Sequence, residues 1–388
     1  MDIQMLLEKF REKMELWVED DNLRYRAPED QSIESELSQT KQHKQKILET
    51  LKKGADISKT TPASRGQQAL YLTHELAPES SAYNIGFALQ IRSVLDEQAM
   101  QKAIQTIVER HASLRTLFTA EQDGELFQNV YGYKKAHFEE IDAFEWTEAE
   151  LKKQVQLTHE QPFDLKNGPL MRTHLFMRSS KEYVLLFSIH HIVFDGWSLW
   201  MILDELGKLY SSHSAKAAET TPELPIIQAD YTDFVHEQSE MLASSKGKEL
   251  WEYWQKQLSG ELPTLNLPID HSRPLRQTFN GATYTYTLPP ELSEKITTLA
   301  REEKVSTYTL LLAAYQILLH RYTGQDDILV SCPTVGRLKR GFKNVVGYFV
   351  NPVVMRAEFT ETDDFKTFLI RTAKTVLDAI KHQDYPFI

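Results

Sequence analysis

The chain has 388 residues, 41% of them hydrophobic, and a formal net charge of -11. That is ample chain for large buried cores and the wrong balance for general nucleic-acid binding, and no run of about twenty apolar residues is present to span a bilayer. A single cysteine, Cys332, excludes an internal disulfide framework, and an N-terminus carrying Asp2, Glu8 and Glu12 lacks the apolar core of a secretory signal, so a cytoplasmic protein with no nucleic-acid or membrane partner is expected.

The first elements are small. Ile3, Leu6, Leu7, Phe10 and Met14 recur at helical spacing. Leu16-Trp17-Val18-Glu19 and Asn22-Leu23-Arg24-Tyr25-Arg26 then flank Asp20-Asp21 as two strands flank a hairpin turn. Ser32 is a fair N-cap for a helix running to about Lys53, with Ile33, Leu37, Ile47, Leu48 and Leu51 as its apolar positions. Residues 1–53 therefore predict a helix-hairpin-helix domain with a thin core. Residues 54–61 are polar, contain Gly54 and lack periodicity, which predicts a linker that lets this unit move.

The remainder predicts two lobes, 62–222 and 223–388, separated by a polar stretch at 211–225. In the first, Tyr183 to Ile189 is a nearly unbroken apolar run, as expected for a strand buried on both faces. It ends on His190 and His191, and after Asp195-Gly196 the residues Leu199, Ile202, Leu203, Leu206 and Leu209 recur at helical spacing. Gly196 marks the strand-to-helix transition, and the geometry exposes His191 to a cleft. A lone histidine beside apolar neighbours is more often packed than reactive; here two histidines, an acid and a glycine coincide. Adjacent histidines do not share a face and the acid is not in a His-Glu-x-x-His arrangement, so no metal is expected there. In the second lobe, helical runs are predicted at 291–303, 308–322 and 363–381, with strand candidates between them.

His190 to Gly196 fits His-His-x-x-x-Asp-Gly, and on it the chain resembles the condensation domains of nonribosomal peptide synthetases, relatives of chloramphenicol acetyltransferase. Further segments follow the family's order: Ser64 to Tyr71, Arg110 to Phe118, Pro162-Phe163-Asp164-Leu165 with Gly168-Pro169-Leu170, Tyr231-Thr232-Asp233-Phe234, Asp327 to Val330 with Pro333 to Arg337, Val346 to Asn351, and His382 to Phe387. Glu237 departs from the tryptophan usual after the Tyr-x-Asp-Tyr segment. The family continues past the segment at His382 to Phe387, so the resemblance implies an incomplete second lobe. Leu16 to Glu19 and Leu23 to Pro28 resemble the hairpin of tubulysin-synthetase-type N-terminal docking domains.

The resemblances imply a mixed α/β, two-lobed, chloramphenicol acetyltransferase-like sandwich preceded by the docking domain. They imply amide formation between an upstream acyl, peptidyl or polyketide thioester and the amine of a downstream aminoacyl thioester. Both would be presented on phosphopantetheine arms of carrier proteins, with no cofactor bound directly. His191 would accept the amine's proton or stabilise the developing ammonium. His190 would set the loop, and Gly196 would keep space beside the thioester and offer its N–H to the oxyanion. Asp195 would be a structural brace partnered by Arg110, with Arg115 in reserve and Arg337 as further support. Trp17, Val18, Leu23, Arg24, Tyr25 and Arg26 would take, as an added strand, the C-terminal peptide of a protein acting upstream. Epimerisation, transfer to a diffusible acceptor and a non-catalytic recruitment platform are the alternatives; heterocyclisation is disfavoured by His at position 190.

Overall fold

The computed structural model describes residues 15–19, 22–26, 33–52, 57–214, 222–275, 277–279, 281–361 and 364–387. The helix expected over 3–14 and the turn at Asp20-Asp21 lie outside them. The chain divides into two compact units, 1–237 with 337–349, and 238–336 with 350–388.

At the start of the first unit, β1 (Glu15–Glu19) and β2 (Asn22–Arg26) form the expected hairpin, pairing Trp17 with Arg24 and Leu16 with Tyr25. Leu16 is buried, whereas Arg24 and Tyr25 are exposed and Leu23 is half-buried. The single long helix expected next is two helices, α1 (Glu34–Gln42) and α2 (Lys44–Lys52). They part at His43, whose φ of -112° and ψ of 15° leave the helical region. Ile47 is fully buried, as its spacing predicted.

Ile57–Pro62, expected to be linker, is instead strand β3, paired antiparallel with β6 (Leu126–Tyr131), whose other neighbour is β5 (Thr116–Ala120). The segment's polarity misleads because its burial is only partial, and Ser58 and Thr60 direct their hydroxyls to Val130 O and Asn129 Oδ1. Ser64 then caps α3 (Arg65–Leu76) in a reciprocal box with Gln67.

A second sheet of four strands runs in the order β4 (Asn84–Ile91), β9 (Glu182–His190), β8 (Met171–Ser179), β7 (His137–Asp142). It carries α4 (Glu97–Arg110), α5 (Glu148–His159) and α6 (Gly196–His213). β9 is buried on both faces, and the two faces feed different cores. Leu185, Phe187 and Ile189 enter the main cluster with Ile104, Ile107 and Leu206. Leu186 faces the other way, onto Phe176 and Leu151 beneath α5. Burial of each such side chain contributes about 1.5–3 kcal/mol, which fixes where the strand ends and therefore where His190 stands.

The compact units part at Glu237/Gln238 and not within the polar stretch 211–225. Pro225 O accepts from Arg110, Ile226 O accepts from Asn344, and Tyr231 at the head of α7 (Tyr231–Ala243) is buried with Phe349, so residues 223–237 pack into the first unit.

The second unit contains α8 (Ser245–Gln257), α9 (Pro290–Glu302), α10 (Thr307–Thr323), strands β10 (Asp327–Thr334) and β11 (Asn351–Glu358) as an antiparallel pair, and α11 (Phe365–Lys381). Trp254, Leu312, Val353, Met355 and Val376 form one of its cores. Residues 337–349 lie in sequence between β10 and β11, yet belong to the first unit.

Candidate active site

β9 delivers His190 at its last position, and a 3-10 turn follows at His191–Val193. Ile192 N–H donates to His190 Nδ1 at 3.1 Å, Gln67 Nε2 donates to Ile192 O, and His191 N–H donates to Tyr83 O at 2.8 Å. His190 is buried, with its ring edge-on to Phe163 and His74. Burial first, then the neighbouring His74 and His191, push its pKa down to about 3. It is therefore neutral, with Nδ1 accepting, and serves as the internal cap of the turn.

His191 is half-buried, and its Nδ1 lies 2.7 Å from Phe194 O. A carbonyl only accepts, so the proton sits on Nδ1 and Nε2 is the ring's acceptor. Tyr348 packs edge-on against the ring at 5.0 Å between centroids. The backbone thus fixes both the tautomer and the plane of the imidazole. A Cβ at Gly196 would meet nothing within 4 Å, so the space beside the start of α6 is open.

Asp195 is fully buried and caps α6. Its Oδ1 accepts from Ser198 N–H and the Ser198 hydroxyl, and its Oδ2 accepts from Arg337 Nη1 at 2.5 Å and from Phe349 N–H at 3.1 Å. Arg337 also donates to Ser198 Oγ and Val345 O, and its guanidinium lies 4.0 Å from the centre of the Phe349 ring. These four hydrogen bonds occupy the lone pairs of the carboxylate.

The expected Arg110–Asp195 pair does not form. Arg110 instead grips Glu205 through Nε and Nη2 at 3.0 and 3.3 Å, and His111 Nε2 donates to the same carboxylate at 3.0 Å. Burial alone would raise Glu205; hydrogen bonds and charge from His111 and Arg110 hold it down to about 2. Arg110 closes α4 and Glu205 lies within α6, so the pair joins those two helices. Arg115, the reserve, is buried and donates to the backbone carbonyls of Val108, Glu109, Tyr131 and Gly132. Both arginines hold elements near the loop; Arg337 alone of the three reaches Asp195.

Several partners were not anticipated. Ser198 bridges Asp195, Arg337 and Gly347 N–H. The Tyr231 hydroxyl donates to Tyr348 O and takes a hydrogen bond from Ser64, while Ser113 donates to Val346 O and Trp197 Nε1 to Lys343 O. These contacts pin residues 337–349 at the site. Glu237, in place of a tryptophan, pairs with Lys339 of the same segment. At Gly347 a Cβ would lie 2.3 Å from the Tyr231 ring, so only glycine fits there. The sequence signal for this network was the pair of segments around Tyr231 and Gly347, which spacing alone could not connect to residue 195.

Among the described residues no helix is long and apolar enough to cross a membrane. In the docking hairpin, the side chains of Trp17, Val18 and Arg26 lie outside the described residues.

Comparison with known proteins extends the geometry. Residues 57–388 match the family model of the condensation domain, and residues 3–53 that of the TubC N-terminal docking domain. One of the proteins of the linear gramicidin synthase of Brevibacillus parabrevis is 38% identical over 333 residues, which cover 85% of this chain and 4% of that protein. The chain thus spans a small part of such relatives' length, reaching 13% in one of the plipastatin synthase proteins of Bacillus subtilis (strain 168). A four-domain nonribosomal peptide synthetase bound to AMP and glycine superposes with a TM-score of 0.75 at 23% identity, over 85% of this chain and 24% of that one. The first condensation domain of the calcium-dependent antibiotic synthetase, with a substrate analogue, superposes with a TM-score of 0.69 at 20% identity, over 84% and 75%. These two likenesses are of fold, and the family match rests on sequence. The chain belongs to the condensation-domain family and carries a docking domain of the TubC type in front.

Proposed function

We propose that the large domain forms an amide between an acyl or peptidyl thioester on an upstream carrier protein and the amine of an aminoacyl thioester on a downstream carrier, both on phosphopantetheine arms. The observation that carries this reading is the 2.7 Å hydrogen bond from His191 Nδ1 to Phe194 O, which presents Nε2 as the acceptor of the neutral ring. A thioester is already activated, so no covalent enzyme intermediate is needed; alignment and proton handling suffice. The amine attacks the thioester carbonyl carbon, and His191 Nε2 takes the hydrogen bond of the attacking nitrogen and offsets its growing positive charge. The C–S bond then breaks, and the upstream thiol leaves with the proton. Asp195 and Arg337 hold the loop, His190 caps it, and Gly196 leaves room for the thioester. Arg110 and Arg115 fix the helices and turns behind.

The docking domain would take the C-terminal peptide of an upstream synthase protein beside β1–β2 as a further strand, with exposed Arg24 and Tyr25 suited to an acidic, partly apolar peptide.

An intact-mass assay tests the reaction. Donor-loaded upstream carrier and aminoacyl-loaded downstream carrier are mixed with the protein, wild type against His191→Ala. The acyl group is expected to move to the downstream carrier and to stop moving in the variant. Carrier binding without transfer in the wild type would favour a recruitment platform and remove the amide-forming reading.

A further inference from the structure

Among the described residues, β7 is the edge of the four-stranded sheet and is hydrogen-bonded to β8 alone. His137 and Glu139 stand two residues apart on β7 and so share a face, and Glu139 lies directly across from His174 of β8. His174 is 3% exposed. Its Nε2 is 3.5 Å from Glu139 Oε2, and its ring centre is 5.0 Å from that of His137. Its Nδ1 is buried with no hydrogen-bond partner among the described residues.

His137 directs Nδ1 to Thr173 O at 3.3 Å, which leaves its Nε2 to act as a ligand. A ring held by one N–H on a backbone carbonyl, with its other nitrogen open, is the arrangement of a metal-bound histidine.

We propose that His137, Glu139 and His174 form a three-ligand site for a divalent transition metal of the zinc class, with water completing the shell. One ligand atom from each lies within 4.8 Å of the other two. A shell of 2.0–2.2 Å bonds draws the donors closer, to roughly 3.3–3.5 Å apart. The required movement falls on Glu139, 58% exposed at its side chain, and on half-buried His137, while His174 stays fixed beneath the sheet face. Arg172 is the nearby cation; it is tied to the carbonyls of Gln161 and Pro162 and lies over the Phe163 ring. The exposed Glu139 carboxylate opens the cluster to solvent, which gives an ion a route in. The site lies on β7 and β8, apart from the loop at His191, and its role is to staple the edge strand to the sheet.

The test is a cobalt titration of the tag-free, chelator-stripped chain, followed by visible absorption and thermal unfolding. One equivalent of Co²⁺ is expected to give the d–d bands of a low-coordinate centre and to raise the unfolding midpoint. His137→Ala and Glu139→Gln are partly or largely exposed changes that leave the metal-free fold intact, and each is expected to weaken binding about tenfold or more. Absence of the bands and of the midpoint shift in wild type would overturn the site. Bands and shift unchanged in both variants would place the ion elsewhere among the chain's 13 histidines and overturn it equally.

Discussion

Arg337 and Asp195 stand 142 residues apart in the chain and meet at 2.5 Å, with side chains 1% and 0% exposed. A buried pair adds little when complete and costs much when halved, because the remaining charge is left without solvent or partner. Asp195→Ala is therefore expected to destabilise the protein by about 3–5 kcal/mol, and Arg337→Leu by a similar amount. Urea unfolding checks both. A stable Asp195→Ala protein that has lost amide formation would make Asp195 a chemical group and not a brace.

His191 is expected to behave in the opposite way. Its ring is half-buried and touches the Phe194 carbonyl and the edge of Tyr348. His191→Ala should lower the rate of acyl transfer by about 10²–10⁴-fold, with a stability change of only about 1 kcal/mol. Single-turnover transfer and thermal melts on the same preparation separate the two effects.

His190 gives a pH dependence with a definite sign. Its pKa is about 3 when folded and near the ordinary histidine value of about 6.5 when unfolded, so between those limits the unfolded chain binds the extra proton. Its contribution is complete above about pH 6.5 and is lost on acidification at about 1.4 kcal/mol per pH unit. His190→Gln should remove close to one proton from the slope of unfolding free energy against pH. An unchanged slope would mean that another group carries it.

Glu205 is expected to act on a lower range. Held down to about 2 against an unfolded value near 4.3, it supplies stability that is present above that value and disappears as the pH falls toward 2. Arg110→Leu leaves Glu205 with His111 alone and should cost about 2–4 kcal/mol while the Asp195–Arg337 pair persists. Acid unfolding curves of Arg110→Leu and Glu205→Gln, singly and together, measure the coupling; additive effects would count against the pair.

Reversing charge on the docking hairpin should impair delivery and spare chemistry. Arg24→Glu is expected to slow transfer from a donor carrier still attached to its own upstream synthase protein, and to leave unchanged the transfer from an excess of isolated carrier. Equal slowing in both assays would place Arg24 outside the docking interaction.

Much of this was legible in the sequence. The two-faced strand at 183–189 has an apolar run that admits little else, and His190, His191, Asp195 and Gly196 fall at its end because the run ends there. The partner of Asp195 was not legible, because a buried carboxylate announces that it needs a cation but not which one. Arg110, Arg115 and Arg337 were all chemically suitable, and the choice was made by the path of residues 337–349. Ile57–Pro62 was missed for a related reason: an edge strand that is only part-buried needs no apolar alternation, so its pairing with β6 leaves no periodic trace. His137, Glu139 and His174 escaped notice because they converge only through the register of two parallel strands.

The path of residues 337–349 also bears on how such a protein emerges from the ribosome and how it can be recombined. When residues 1–237 have been synthesised, the carboxylate at 195 still lacks its counterion, and the first unit can seal it only after a hundred further residues have been made. A chimera joined at the compact boundary by sequence alone would bring in a foreign loop where Arg337, Tyr348 and Phe349 must fit Asp195, His191 and Tyr231. Exchange of the first unit is therefore expected to succeed only when the donor's own 337–349 travels with it.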